Sequence, residues 1–239
     1  MTGLSIPLSR LMLVGAHPDD EIIGAGGLIH RAAREGGQVS VVTLTCGETA
    51  AASEAEARPM GDRRREEMRA ADAALGVAAR HVLAIPSQQA YRAAYGDNQL
   101  HHELIRLIRE FRPQVLLAHR ADSHRDHCAV AEAAPQAAFQ AGEAILAALG
   151  EPWRTAMVLH YAVEQTLDEP EIAVRISAED VEAKVNALRT QVSQARNGYL
   201  ERLEQMVRGR AGFWGARCFG AGQYGEAFQL SRGYPLVVA

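Results

Sequence analysis

Short apolar runs alternate with longer amphipathic stretches along the first two thirds of the chain, and this rhythm restricts the fold more than any other feature. Segments 11–15 (LMLVG), 38–45 (QVSVVTLT), 81–85 (HVLAI), 114–118 (QVLLA) and 157–163 (MVLHYAV) read as strands, brief and rich in β-branched or other apolar side chains. Between them, 24–34, 63–75, 98–111 and 127–149 carry helical patterns, with Gly36, Gly76 and Pro113 as stop signals. Pro135 falls inside the last helical stretch and is expected to interrupt it, because proline removes a donor and crowds the preceding turn. Strands separated by helices need right-handed crossovers that cover both faces of a mostly parallel sheet. The expected fold is therefore α/β: a doubly wound, Rossmann-like sheet flanked by helices.

The tail breaks the rhythm. Segment 171–176 offers one more strand, 178–207 a long charged helical stretch, and 209–239 an end containing glycine and aromatic residues. No linker rich in Pro, Gly or Ser separates these from the rest. The chain is thus expected to be a single domain over 1–239, with a core over about 9–165 and the extension 166–239 packed on it. Segment 47–61 (GETAAASEAEARPMG), small and polar, is expected to be a mobile loop after the second strand.

Composition narrows the function. With 48% hydrophobic and 23% charged residues, 239 residues can bury a sizeable core, and global disorder is excluded. A net charge of −4 argues against non-specific nucleic-acid binding. No apolar run approaches the ~18 residues of a membrane span, and the first residues do not read as a signal peptide. Cys46, Cys128 and Cys218 are widely spaced and form no CxxC pair, so neither disulfides nor an all-cysteine zinc site are expected, and a reducing cytoplasm is the natural setting. Homo-oligomerisation is left open.

Two segments placed after strands concentrate metal-ligand chemistry: Ala16-His17-Pro18-Asp19-Asp20-Glu21, and His119 through His127 (HRADSHRDH). Ligands of an open parallel sheet collect at the carboxyl ends of its strands. His17 and Asp20 are three apart, and His124 and His127 repeat that spacing at the start of a helix. Two imidazoles and one carboxylate leave positions open for water, the pattern of catalytic rather than structural zinc. Asp19, beside the first pair, is free to act as a general base, and Asp126 is placed to orient His124 through an imidazole–carboxylate hydrogen bond. Taken singly, each segment could be an ordinary helix start, with Asp19 as an N-cap or Asp126 favoured by the helix dipole; the coincidence of both favours a metal. His30, His81, His101, His102 and His160 read as structural or exposed, and His119 as pocket wall or support for a ligand.

These two motifs, AHPDDE and HxDH, resemble those of the PIG-L/LmbE-like deacetylases, zinc enzymes that remove acetyl groups from N-acetylglucosamine units. The resemblance extends to 41–48 (VVTLTCGE), 64–77 (RREEMRAADAALGV) and 224–228 (YGEAF). It implies His17, Asp20 and His127 as ligands of Zn2+, with Fe2+ acceptable in its place, and Asp19 as the base. His124 would stabilise the oxyanion or protonate the leaving amine, with Asp126 behind it. Arg64 would contact the substrate, a small amino-sugar conjugate; its bland reading is one member of the solvated run Arg63-Arg64-Arg65. One departure stands out: many members carry H-x-S-Q in the late helix, where this chain has Gln191-Val192-Ser193-Gln194, and Cys46 replaces a polar residue. The expected reaction is hydrolysis of an acetamide by a metal-activated water. The rivals are a zinc-dependent hydratase or lyase on an oxo-acid, a non-haem iron oxygenase using the same ligand types, and a nucleotide-binding module. The last lacks any phosphate-binding glycine motif.

Overall fold

A computed structural model describes residues 6–51 and 53–235. One sheet of seven strands runs through it, formed by β1 (Arg10–Gly15), β2 (Gln38–Thr43), β3 (Ala79–Val82), β4 (Val115–His119), β5 (Met157–Tyr161), β6 (Ile172–Ile176) and β7 (Tyr224–Leu230) in the order β3-β2-β1-β4-β5-β7-β6. The first five strands pair in parallel, while β7 runs antiparallel to both β5 and β6. The helices are α1 (Asp20–Arg34), α2 (Glu54–Leu75), α3 (Ala90–Tyr95), α4 (Gln99–Phe111), α5 (Arg125–Ala141), α6 (Ala178–Arg189) and α7 (Tyr199–Phe219). This is the expected α/β class.

Central strand β1 shows why the apolar runs are continuous rather than alternating. Leu11 and Leu13 pack into one core with α1, while Met12 and Val14 face a second core with α4 and α5, so both faces of the strand are covered. The tail is woven into this sheet rather than merely laid on it. Strand β7 inserts between β5 and β6, and its Glu226 reaches α1, where the backbone is non-helical at Ala25 (φ −146°, ψ 17°). The N–H groups of Gly27 and Leu28 donate to the Glu226 carboxylate at 3.0 and 2.7 Å, which caps the second half of α1. Lys184 of α6 completes this buried group at 2.6 Å. At Gly24 a β-carbon would lie 2.1 Å from the ring of Tyr161, so only glycine fits the helix against β5.

Several elements differ from expectation. The polar stretch 47–61 is not one loop: α2 already begins at Glu54 and carries Pro59 within it. Its first turns are largely exposed and so lack apolar periodicity, although Ala, Glu and Arg are strong helix formers. Pro135 does not interrupt α5, which starts before it and continues to Ala141; the ring sits on the half-exposed side, where the carbonyl it frees can meet water. Stretch 178–207 divides into α6 and α7 at a short turn, where Asn197 and Gly198 take positive φ values of 52° and 69°. Helix α7 then runs on to Phe219, and the short α3 was not foreseen. Among the described residues no helix is long and apolar enough to cross a membrane.

Candidate metal centre

Strands β1 and β4 are parallel neighbours, paired from Leu11 with Val115 to Val14 with Ala118. The chain leaves β1 toward β2 on one side and β4 toward β5 on the other, so the loops after β1 and β4 diverge and open a crevice at their carboxyl ends. Both expected motifs line it. Nδ1 of His17 lies 3.2 Å from Nε2 of His127. Asp20 stands 3.4 Å from the first of these atoms through Oδ2 and 3.6 Å from the second through Oδ1. Tetrahedral ligands at about 2.0–2.2 Å from one ion lie about 3.3–3.6 Å apart, the spacing of these pairs, with Asp20 meeting the two imidazoles through different oxygens; the N and O donors suit a small divalent cation such as zinc or iron(II). Two overlapping groups, His17 with His124 and His127, and Asp20 with His119 and His127, bring ligand atoms within 4.8 Å of one another.

The local field also favours positive charge here. Burial lowers the basicity of His17, but the carboxylates of Asp20, Asp126 and Asp19 outweigh it and push the imidazole up to about 10. Burial alone would raise Asp20, yet His119 and His17 hold it well below the usual carboxylate range. Asp19 is raised by burial and by Asp20, against the pull of the Arg64 guanidinium, and settles at about 6.

Asp19 occupies the N-cap position of α1 at φ 120°, a conformation that favours glycine, and its side chain makes no capping bond. Instead Oδ2 accepts from Arg64 at 3.2 Å. Arg64 is not part of a solvated run, since it is only 2% exposed. It donates to the Pro18 carbonyl and, at 3.4 Å, to Ser193 Oγ. Ser193 is held in turn by Glu67, through its backbone N–H at 2.7 Å and its hydroxyl at 2.6 Å. Gln191, at the position of the family histidine, is buried beside the Glu67 carbonyl, whereas Gln194 reaches the crevice.

The expected pairing of Asp126 with His124 is not what the fold builds. The Asp126 carboxylate accepts from the N–H groups of Gln88 (2.8 Å) and Ala90 (3.3 Å) and approaches His17 Nε2 at 3.4 Å. The start of α3, which the sequence reading lacked, supplies these donors and draws the carboxylate away. His124 is the N-cap of α5, its Nδ1 accepting from the backbone N–H of Asp126 at 3.2 Å. The imidazole–carboxylate pair is made instead by the expected ligand His127 and by Asp122, which no motif marks: Asp122 Oδ2 and His127 Nδ1 are 2.7 Å apart. Asp122 also caps the turn by accepting from His124 N–H at 2.7 Å. His119 is fully buried, with Nε2 2.9 Å from Asp20 Oδ2 and its ring stacked on His127 at 4.1 Å between centroids. Beneath the turn, Glu21 pairs with Arg80 at 2.6 Å, a partner 59 positions away with no motif to announce it.

A cavity of about 250 Å³ opens over these groups, walled by Asp19, Arg64, His124, Glu164, Gln194 and Tyr199 among others. A larger groove of about 820 Å³ runs between α5 and β7 and is lined by none of the metal-donor residues.

The fold and donor set define an α/β protein with a crevice at the switch point of its sheet whose His and Asp side chains could hold a metal ion. Residues 12–138 match the family model of PIG-L, GlcNAc-PI de-N-acetylase, and the chain belongs to that family. A relative from Streptomyces avermitilis, 1D-myo-inositol 2-acetamido-2-deoxy-alpha-D-glucopyranoside deacetylase, is 34% identical over 195 residues, covering 69% of this chain and 65% of the relative. The chain thus spans slightly less than two thirds of that protein's length. Among solved structures, N,N'-diacetylchitobiose deacetylase from Pyrococcus horikoshii superposes with TM-score 0.80 at 23% identity, over 96% of this chain and 86% of the other. The 4-carboxy-2-hydroxymuconate hydratase GalB from Pseudomonas putida KT2440 gives 0.77 at 21%, over 96% and 98%. At those identities the likeness is one of fold, and the fold serves both reactions.

Proposed function

We propose that the protein is a metal-dependent N-deacetylase that hydrolyses the acetamide of an N-acetylglucosamine-type conjugate. The observation that carries this reading is the convergence of His17, Asp20 and His127 within 3.2–3.6 Å of one another, with the raised carboxyl of Asp19 beside them. The membership of the PIG-L family and the deacetylase relative support it. A Zn2+ or Fe2+ held by His17, Asp20 and His127 supplies a Lewis acid for the amide carbonyl and for water.

The chain's own groups do the rest. Asp19, with a pKa near that of a working base, takes a proton from the attacking water as its oxygen bonds to the carbonyl carbon. Arg64 holds that carboxylate in place. His124 Nδ1 accepts a backbone N–H, and Nε2, 3.3 Å from the side-chain amide of Gln88, is the ring atom left to carry a proton toward the oxyanion once substrate displaces that amide. The C–N bond then breaks, the nitrogen receives the proton that Asp19 took, and acetate and a free amine leave. Asp122 fixes the Nδ1–H tautomer of His127, which leaves Nε2 with a lone pair for the cation.

The test is acetate release from an N-acetylglucosaminyl inositol and from diacetylchitobiose, with metal analysis of the same sample. Acetate in step with bound metal is expected. A metallated protein that releases none, but hydrates an unsaturated oxo-acid, would replace this reading with the hydratase one.

A further inference from the structure

The walls of the crevice carry an uneven charge. Arg64 is the one Lys or Arg among its lining residues, and its guanidinium is already engaged by Asp19, the Pro18 carbonyl and Ser193. Glu164, on the turn after β5 and exposed toward solvent, lines the same cavity. The turn is clamped from behind. Arg210 of α7 donates to the carbonyls of Val163 and Glu164 at 2.8 and 3.2 Å, spending its guanidinium on the backbone rather than on the carboxylate. Tyr199, on the same wall, registers the resulting field: burial together with Asp19, Glu164 and Asp20 pushes its hydroxyl up to about 12, so it stays a neutral donor. Gln194 and Thr49 add further uncharged polar groups.

The geometry points to Glu164 as a charge filter: the crevice takes uncharged acylated amino sugars and turns away those bearing a phosphate or carboxylate. An anionic group placed at Glu164 would meet like charge, with no unengaged Lys or Arg among the described lining residues beside it, whereas hydroxyls can bond to Glu164, Gln194, Tyr199 and Thr49. Glu164 is neither one of the three donor residues nor the base, so it acts on binding more than on turnover. The kinetic arm of the test rests on the deacetylase reading; the binding arm does not.

The experiment compares the methyl glycoside of N-acetylglucosamine with N-acetylglucosamine 1-phosphate on the zinc-loaded protein. Acetate release and calorimetric binding are both measured, at low and high salt. Expected are a kcat/KM and an affinity about tenfold or more in favour of the neutral compound at low salt, narrowing as salt screens the carboxylate. Glu164→Gln should bring the two compounds within about threefold through KM rather than kcat, and Glu164→Lys should favour the phosphate. Equal use of both by the unaltered protein, or a ratio that Glu164→Gln leaves in place, would overturn the inference. If neither compound is hydrolysed, the deacetylase reading is decided by the inositol and chitobiose conjugates, and the binding ratio alone decides the filter: a preference lost in Glu164→Gln upholds it, and equal binding or none overturns it.

Discussion

The carboxylate of Asp122 lies 2.7 Å from Nδ1 of His127, five residues along the chain, across the turn that opens α5. This bond determines which nitrogen of His127 carries the proton, and so leaves the nitrogen facing His17 and Asp20 free to bind a cation. An aspartate that never touches the metal should therefore control its affinity. Asp122→Asn keeps the shape but loses the charge, and it should weaken zinc binding by about 10–100-fold, the usual cost of removing such a partner. Competition with a fluorescent chelator measures this directly. Unchanged affinity would mean that His127 needs no such support.

Asp122 also shows where the sequence stops being legible. The strand–helix rhythm and the two motifs were readable because burial on both sheet faces writes continuous apolar runs, and because the donors sit three apart within local turns. The route of Asp126 to Gln88 and Ala90 was not readable, since α3 is six residues long and its start carries no side-chain cap. Nor was the reach of Glu226 from the last strand into α1, a contact across 199 positions. For Arg64 the sequence leaves two readings, a substrate contact or one of three solvated arginines; the helix phase turns it inward and leaves Arg63 on the surface, against the second.

Asp19 pays for its position in backbone strain. A φ of 120° costs a non-glycine residue on the order of 1–3 kcal/mol, and glycine takes it freely. Asp19→Gly should thus raise the melting temperature by about 2–4 °C, after the extra chain entropy of glycine is deducted. The same variant should lose acetate release by several orders of magnitude while retaining metal. A fall in melting temperature would show that the bond from Arg64 outweighs the strain.

The pH profile should report the Asp19–Arg64 pair. Asp19 works as a base only when ionised, and its pKa of about 6 places the acid limb of kcat/KM near that pH, activity rising as pH increases through it. Arg64 favours the ionised form, so Arg64→Met should move the limb to higher pH. Asp20, held low by His119 and His17, acts in the same sense on stability. Its contribution is fully present above the ordinary carboxylate range and is lost as the pH falls through its lowered value. Profiles of the two proteins that coincide would place the limb on another group.

Glu226 offers a test of how the tail supports the site. Its carboxylate is 4% exposed, ends the second half of α1 at Gly27 and Leu28, and pairs with Lys184, itself 3% exposed, at 2.6 Å. Replacing it by alanine leaves a buried ammonium and two helical N–H groups without acceptors, and should cost about 3–5 kcal/mol of stability. Glu226→Gln keeps one acceptor oxygen and should cost less, while Lys184→Met combined with Glu226→Gln should recover part of the loss, because the uncompensated charge is gone. Denaturant unfolding of the three variants separates these effects. Of the three proposed donors, Asp20 opens α1 ahead of the break at Ala25, His17 precedes the helix and His127 lies in α5, so zinc affinity should fall less than stability does in Glu226→Ala. Parallel losses of both would instead show that the two halves of the helix hold the site as one rigid unit.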